Sequence, residues 1–184
     1  MRKLKLQVQL TVDGYVAGSN GEMDWVTFNW DDQLKNYVNE ITEPVDCIVL
    51  GRKLAQGFIP HWASNPETEG AGKINSAKKV VFTKTLDQSE WDNTVLANGD
   101  LTEEITHLKN QNGGDIIAYG GATFVAALIK QGLIDEFHLF VNPTAIGNGL
   151  PIFNELAHNQ PLILVKSVAF DCGIVVLHYE PNQK

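Results

Sequence analysis

The chain has 184 residues, 43% hydrophobic and 20% charged, which is enough apolar material for one buried core and not the composition of a disordered segment. Its 14 basic residues stand against 22 acidic ones, and the net charge of −8 excludes the broad basic face of a nucleic-acid-binding protein. No apolar run approaches the roughly 20 residues of a membrane span, and the N-terminal alternation lacks the apolar core of a signal peptide.

Residues 3–12 (KLKLQVQLTV) alternate as a strand, and 13–25 (DGYVAGSNGEMDW) form a glycine-rich loop long enough to be functional. The stretch 30–41 spaces Leu34, Tyr37, Val38 and Ile41 as one helix face, with Asp31 and Asp32 suited to its first turn. Short apolar runs at 45–50, 78–84, 94–97 and 115–119 read as strands. Residues 100–110 and 121–132 read as helices, the first capped by Asp or Thr and the second closed by Gly132. A strand at 135–146 runs into a Pro-Gly loop, and two last strands are joined by a hairpin at Asp171–Gly173. Strands alternating with helices before an antiparallel tail predict a single three-layer α/β/α domain over 1–184 with a mixed, mostly parallel sheet.

Cys47 and Cys172 lie in apolar contexts with no C-x-x-C, as reduced thiols of a cytoplasmic protein would. The five histidines show no H-E-x-x-H or similar spacing, so no metal is expected.

Three strand ends carry groups suited to anions: Gly51, Arg52 and Lys53; Thr83 and Lys84; and Gly120 and Gly121 at a helix start. If these strands are parallel, the three clusters share one sheet edge, where ligands of open α/β sheets bind. A helix start offers free N–H groups, and glycine lets a phosphate approach them. The glycine pair is equally what a tight turn needs. No G-x-G-x-x-G follows the first strand, and neither a Walker A sequence nor a G-x-S-x-G elbow is present, which excludes a Rossmann fingerprint, a P-loop and a hydrolase elbow.

The segments TVDGYVAG (11–18), VLGRKL (49–54), VVFTK (80–84) and IIAYGGATFVAALIKQGLIDEFHLFVNPTAIGNGLPIF (116–153) match in order and spacing from end to end. In these the chain resembles the dihydrofolate reductase-like family, in the branch of the C-terminal reductase domain of the bacterial bifunctional riboflavin deaminase-reductase. The resemblance implies NADPH as cofactor and reduction of a small heterocycle, in the manner of 5-amino-6-(5-phosphoribosylamino)uracil or dihydrofolate. It implies that Gly51, Arg52, Lys53, Thr83 and Lys84 hold the adenosine 2′-phosphate. Tyr119, Gly120, Gly121, Ala122 and Thr123 would surround the pyrophosphate, and Ala17 would lie near the nicotinamide. A valine at Gly121 is then expected to abolish cofactor binding with most of the fold intact.

Departures from the family pattern are Leu54 where threonine is common, Tyr119 where glutamate is common, and Gln7 where a lysine is common. Reduction of a C=N bond needs a proton at nitrogen, and Asp31 or Asp32 matches the family's helix carboxylate, for which a raised pKa is expected. Asp13 and Trp25 are candidates for binding the heterocycle; each is equally read as turn or core. A non-catalytic NADP(H)-binding or sensory module on the same fold is the alternative. The apolar final strands, and the pairing common among relatives of this domain, predict a homodimer.

Overall fold

The computed structural model describes residues 1–182; the last two residues of the expected domain lie outside the described residues. Ten strands and five helices follow in the order β1 Leu4–Leu10, β2 Tyr15–Ala17, α1 Asp32–Thr42, β3 Val45–Gly51, α2 Arg52–Ser64, α3 Ala71–Ser76, β4 Lys78–Phe82, β5 Thr94–Ala97, α4 Leu101–Asn110, β6 Asp115–Ala118, α5 Ala122–Lys130, β7 Glu136–Val141, β8 Leu150–Pro151, β9 Leu162–Ala169 and β10 Val175–Pro181.

Eight strands form one sheet in the order β5-β4-β3-β6-β1-β7-β10-β9, and β2 pairs with β8 in a small separate ribbon. The pairs from β5 across to β7 are all parallel, whereas β10 runs antiparallel to both β7 and β9. The predicted mixed, mostly parallel α/β sheet is the one found.

Alternation along the strands sorts the core into two faces. Leu4, Leu6 and Val8 point to the face covered by α4 and α5, where Ile105, Leu108, Val125 and Leu128 meet them. Ile48, Leu50 and Ile117 point to the other face, under Ala55 and Ile59 of α2. On that same side α1 lays Leu34, Tyr37 and Ile41 over Phe140 and Val176. Central strands covered on both faces read as continuous apolar runs, and IVL and DIIA do so. Truncating a fully buried residue such as Ile117 to alanine would cost roughly 2–5 kcal/mol.

Two helices, α2 and α3, go beyond the sequence expectations. Helix α2 starts at Arg52 with no capping side chain and carries Pro60 in its interior, where proline has no N–H to donate. It forms because Ala55 and Ile59, one turn apart, are buried against the sheet, so tertiary packing overrides weak local signals. The expected caps of α1 and α4 are present: Asp31 accepts from the Leu34 N–H, and Asp100 from the N–H groups of Thr102 and Glu103.

Candidate functional site

Strands β4, β3 and β6 are neighbours and parallel, with Gly51 opposite Phe82 and Val49 opposite Ala118. The three clusters singled out in the sequence therefore stand side by side on one edge. At about 4.8 Å per strand, the outer two are about 10 Å apart. Helices α2 and α5 begin on this edge, behind Gly51 and Gly121, and neither is capped by a side chain. Each presents free N–H groups and the positive end of a helix dipole.

Beside these helix starts runs an open groove of about 480 Å³ lined by Arg52, Thr83, Lys84, Phe82 and Phe124, with Asp100 and Leu101 at its far wall. Arg52 reaches it from the first turn of α2, its guanidinium resting on Gln56 Oε1 at 3.2 Å. Lys84 Nζ is anchored on the carbonyl oxygens of Asn98 and Gly99 at 2.6 and 2.8 Å. Thr83 is buried, and its Oγ accepts from the N–H groups of Thr85 and Leu86, shaping the turn after β4. Its hydroxyl proton is left to point elsewhere. Lys53 and Thr123 are exposed, while Gly51, Ala122 and Gly121 are part-buried. None of these five lines the groove itself.

Glycine is required in this edge for two separate reasons. A Cβ on Gly51 would come within 2.9 Å of Phe124 Cβ, so the first turn of α5 can approach β3 only over a bare backbone. Gly120 and Gly121 have φ of +144° and +82°, which L side chains rarely adopt. Around Gly121 there is ordinary room, with Leu54 Cβ 3.7 Å from a would-be Cβ. A valine there would strain the backbone whether or not a phosphate binds, a cost in stability that comes in addition to the expected loss of cofactor binding.

Other sequence candidates take different positions. Tyr119 turns its ring onto Phe58 of α2, centroids 5.4 Å apart, and burial pushes its hydroxyl pKa up. Only its backbone is left for the cofactor edge. Ala17 is buried in the β2–β8 ribbon, opposite Leu150. Asp13 is exposed, with its carboxylate turned toward the Pro-Gly loop. Its Oδ2 accepts from the N–H of Ile146, at 3.1 Å, and of Gly147, at 2.7 Å, tying the first loop to the Pro-Gly loop. Trp25 is half-buried, and its indole N–H has no partner among the described residues.

Asp31 lacks the raised pKa expected of a proton donor. One oxygen caps α1 at Leu34 and the other accepts from the Cys172 N–H at 3.1 Å. Those backbone N–H groups, Leu34 first, hold its carboxyl below the ordinary range. Asp32 faces solvent, its side chain 98% exposed. Asp31 is thus not placed as a protonated acid.

Sequence reading missed three features. Phe82 and Phe124 form one wall of the groove, centroids 5.1 Å apart; the signal was present, since Phe124 is the third residue of the helix behind the glycines. Asn142, fully buried, accepts from the Thr27 N–H and donates to Gln9, linking the first loop to β1 and β7. The spacing of the histidines promised no metal cluster, yet Glu136, His138 and His178 converge across β7 and β10.

A mostly parallel sheet with two uncapped helices at one edge, beside a groove bearing arginine and lysine, defines an α/β protein with one sheet edge suited to anions. The chain belongs to the RibD C-terminal domain family, whose model matches residues 2–176. It is 35% identical to YyaP of Bacillus subtilis (strain 168), over 98% of this chain and 96% of that one. Among solved structures, it resembles the Thermotoga maritima diaminohydroxyphosphoribosylaminopyrimidine deaminase/5-amino-6-(5-phosphoribosylamino)uracil reductase, with TM-score 0.71 and 17% identity over 98% of this chain and 56% of that one. It also resembles Enterococcus faecalis dihydrofolate reductase complexed with NADP(H), with TM-score 0.63 and 16% identity over 98% and 97% of the two chains. The dihydrofolate reductase-like fold is thereby shown.

Proposed function

We propose that this protein is a cytoplasmic, NADPH-dependent reductase of a small heterocycle. The observation that carries the reading is the parallel adjacency of β4, β3 and β6. It unites Arg52, Lys84, Thr83 and two uncapped helix starts on one edge. The family and the fold are consistent with it. Cys47 and Cys172, both free thiols, fit a reducing compartment.

The residues present fit NADPH. The N–H groups at the start of α5 would meet the pyrophosphate, with Gly120 and Gly121 keeping side chains out of the way. Arg52 and Lys84 would answer the 2′-phosphate as charge-assisted donors, and Lys53 adds an exposed cation on the same helix turn. Phe124 and Phe82 offer an apolar wall to the adenine. When bound, NADPH supplies the hydride.

The chain's own part in the chemistry is to orient and to exclude water. Asp13 fixes the first loop against the Pro-Gly loop, and Asn142 fixes the segment at Thr27. Trp25, with a donor still unspent, stands in that loop for the heterocycle. Since Asp31 is ionised and engaged, the proton in this reading arrives through water rather than from a protonated carboxyl. That same engagement favours a second reading, an NADP(H)-binding module without turnover. Calorimetry with NADPH, followed by NADPH oxidation against pterins and ribosylated pyrimidines, tests both. Binding with turnover supports the reductase, binding without turnover on any substrate supports the module, and no binding overturns both.

A further inference from the structure

Glu136 and His138 occupy alternate positions of β7 and so share the face toward α1. His178 of β10 is the residue directly opposite His138. A cross-strand pair of this kind brings side chains within reach, and one ligand atom from each of the three residues lies within 4.8 Å of the others. His138 Nε2 is 3.3 Å from Glu136 Oε2, and its Nδ1 is 2.8 Å from the Tyr37 hydroxyl oxygen. His178 Nε2 is buried and has no hydrogen-bond partner among the described residues. An unpaired buried nitrogen is costly, which marks this point as one awaiting a ligand.

We infer that Glu136, His138 and His178 form a binding site for a divalent transition-metal ion of the zinc class, remote from the cofactor edge. Two imidazole nitrogens and one carboxylate oxygen are the donor set such ions take. With an ion bound, Tyr37 would be the outer partner that fixes the His138 ring, its hydroxyl oxygen 2.8 Å from Nδ1 and able to accept from it, which would leave the Nε2 lone pair to the ion.

The surrounding charge permits a cation. Lys3 Nζ occupies the other Glu136 oxygen, Oε1, at 2.6 Å and leaves Oε2 open. Lys5 Nζ stands 4.0 Å from Oε2 but is spent on Asp115 at 2.9 Å and the Ile41 carbonyl at 3.1 Å. Lys166 of β9 lies over the Tyr37 ring, with Glu180 near Lys3 and Glu40 near Tyr37. Three ammonium groups thus face four carboxylates.

One adjustment is required. The two imidazoles stack 4.3 Å apart at 23°, so His178 must turn its ring to aim its lone pair at a shared ion. That torsion is broad and soft, and the β10–β9 register shifts between His178 and Tyr179, so the ladder on that side of His178 is irregular. His178 is part-buried, which leaves a way in.

Chelator-stripped full-length protein, titrated with Co²⁺ by absorption and with Zn²⁺ by calorimetry near pH 7.5, tests the site. One equivalent should bind, with Co²⁺ d–d bands of a four- or five-coordinate centre. His178→Gln, which keeps a polar side chain at a part-exposed position, should weaken binding at least tenfold while its circular dichroism matches wild type. Glu136→Gln should weaken it as well. The variant His61→Gln/His107→Gln/His158→Gln should bind as wild type does. No binding by wild type, equal binding by His178→Gln, or loss in the triple variant would each overturn the inference.

Discussion

Leu54 lies directly beneath the glycine pair: its Cδ2 is 3.9 Å from where a Cβ on Gly120 would stand, and its Cβ is 3.7 Å from one on Gly121. The leucine fills the underside of the turn while positive φ shapes its top. Gly121→Ala should therefore destabilise through strain, by about 1–2 kcal/mol. In a chain of this size that corresponds to a fall in Tm of roughly 2–8 °C. NADPH affinity of the folded variant should fall too, because the N–H groups of α5 shift. Calorimetric melting and NADPH titration on one sample read both, and unchanged affinity would return the glycines to a purely conformational role.

Among the described residues, the Arg52 side chain hydrogen-bonds to Gln56 alone, which leaves most of its guanidinium donors to an incoming phosphate. A charge-assisted contact contributes about 1.5–3 kcal/mol. Wild type should prefer NADPH over NADH by about tenfold or more, and Arg52→Ala should remove most of that preference without changing Tm. Equal affinities for the two nucleotides in wild type would sink the phosphate assignment.

Glu136 is 8% exposed, and the His138 hydrogen bond, followed by Lys3, lowers its pKa from 4.5 to about 2. A carboxylate with a depressed folded pKa contributes stability that is full above its unfolded value and is lost as pH falls through the folded one. The protein should thus lose up to about 3 kcal/mol from this group between pH 4.5 and 2. Urea unfolding of chelator-stripped protein across that window should show a shallower decline for Glu136→Gln. Parallel curves would show that the ion pairs of this residue contribute nothing net.

Strand β9 closes the sheet, its outer edge unpaired among the described residues, and Ile163, Leu164 and Val165 are each 51% exposed. Three successive half-exposed apolar residues leave both faces of an edge strand open, a surface that a second copy would cover. Sedimentation at micromolar concentration should give twice the 20.3 kDa chain mass. Ile163→Lys/Val165→Lys should sediment as a monomer, and a wild-type monomer would refute the homodimer.

Among the described residues, Trp25 has no hydrogen-bond partner at its indole nitrogen. Trp25→Phe should leave Tm within about 2 °C of wild type and, once a substrate is known, raise KM more than it lowers kcat. A large fall in Tm would instead assign Trp25 to the core.

Local chemistry made much of this protein legible from its residues. The apolar run at 115–118, two glycines and then a 3.6-residue period could only hand a strand to a helix, and Asp100 could be read as a cap because its partners lie two and three residues away. The three anion-suited turns were legible for the same reason, each being contiguous in the chain. What tertiary structure decided was every relationship across the chain. Helix α2 has neither cap nor clean pattern and exists because the sheet buries Ala55 and Ile59. Asp13, by sequence either a heterocycle-binding candidate or a turn residue, bonds to Gly147, and Asp31 to Leu34 and Cys172. His178 meets His138 because β10 pairs with β7 in one register, and a slip of one residue would have turned it to the opposite face. Short-range periodicity is written residue by residue; the register between distant strands is set only when the whole core packs.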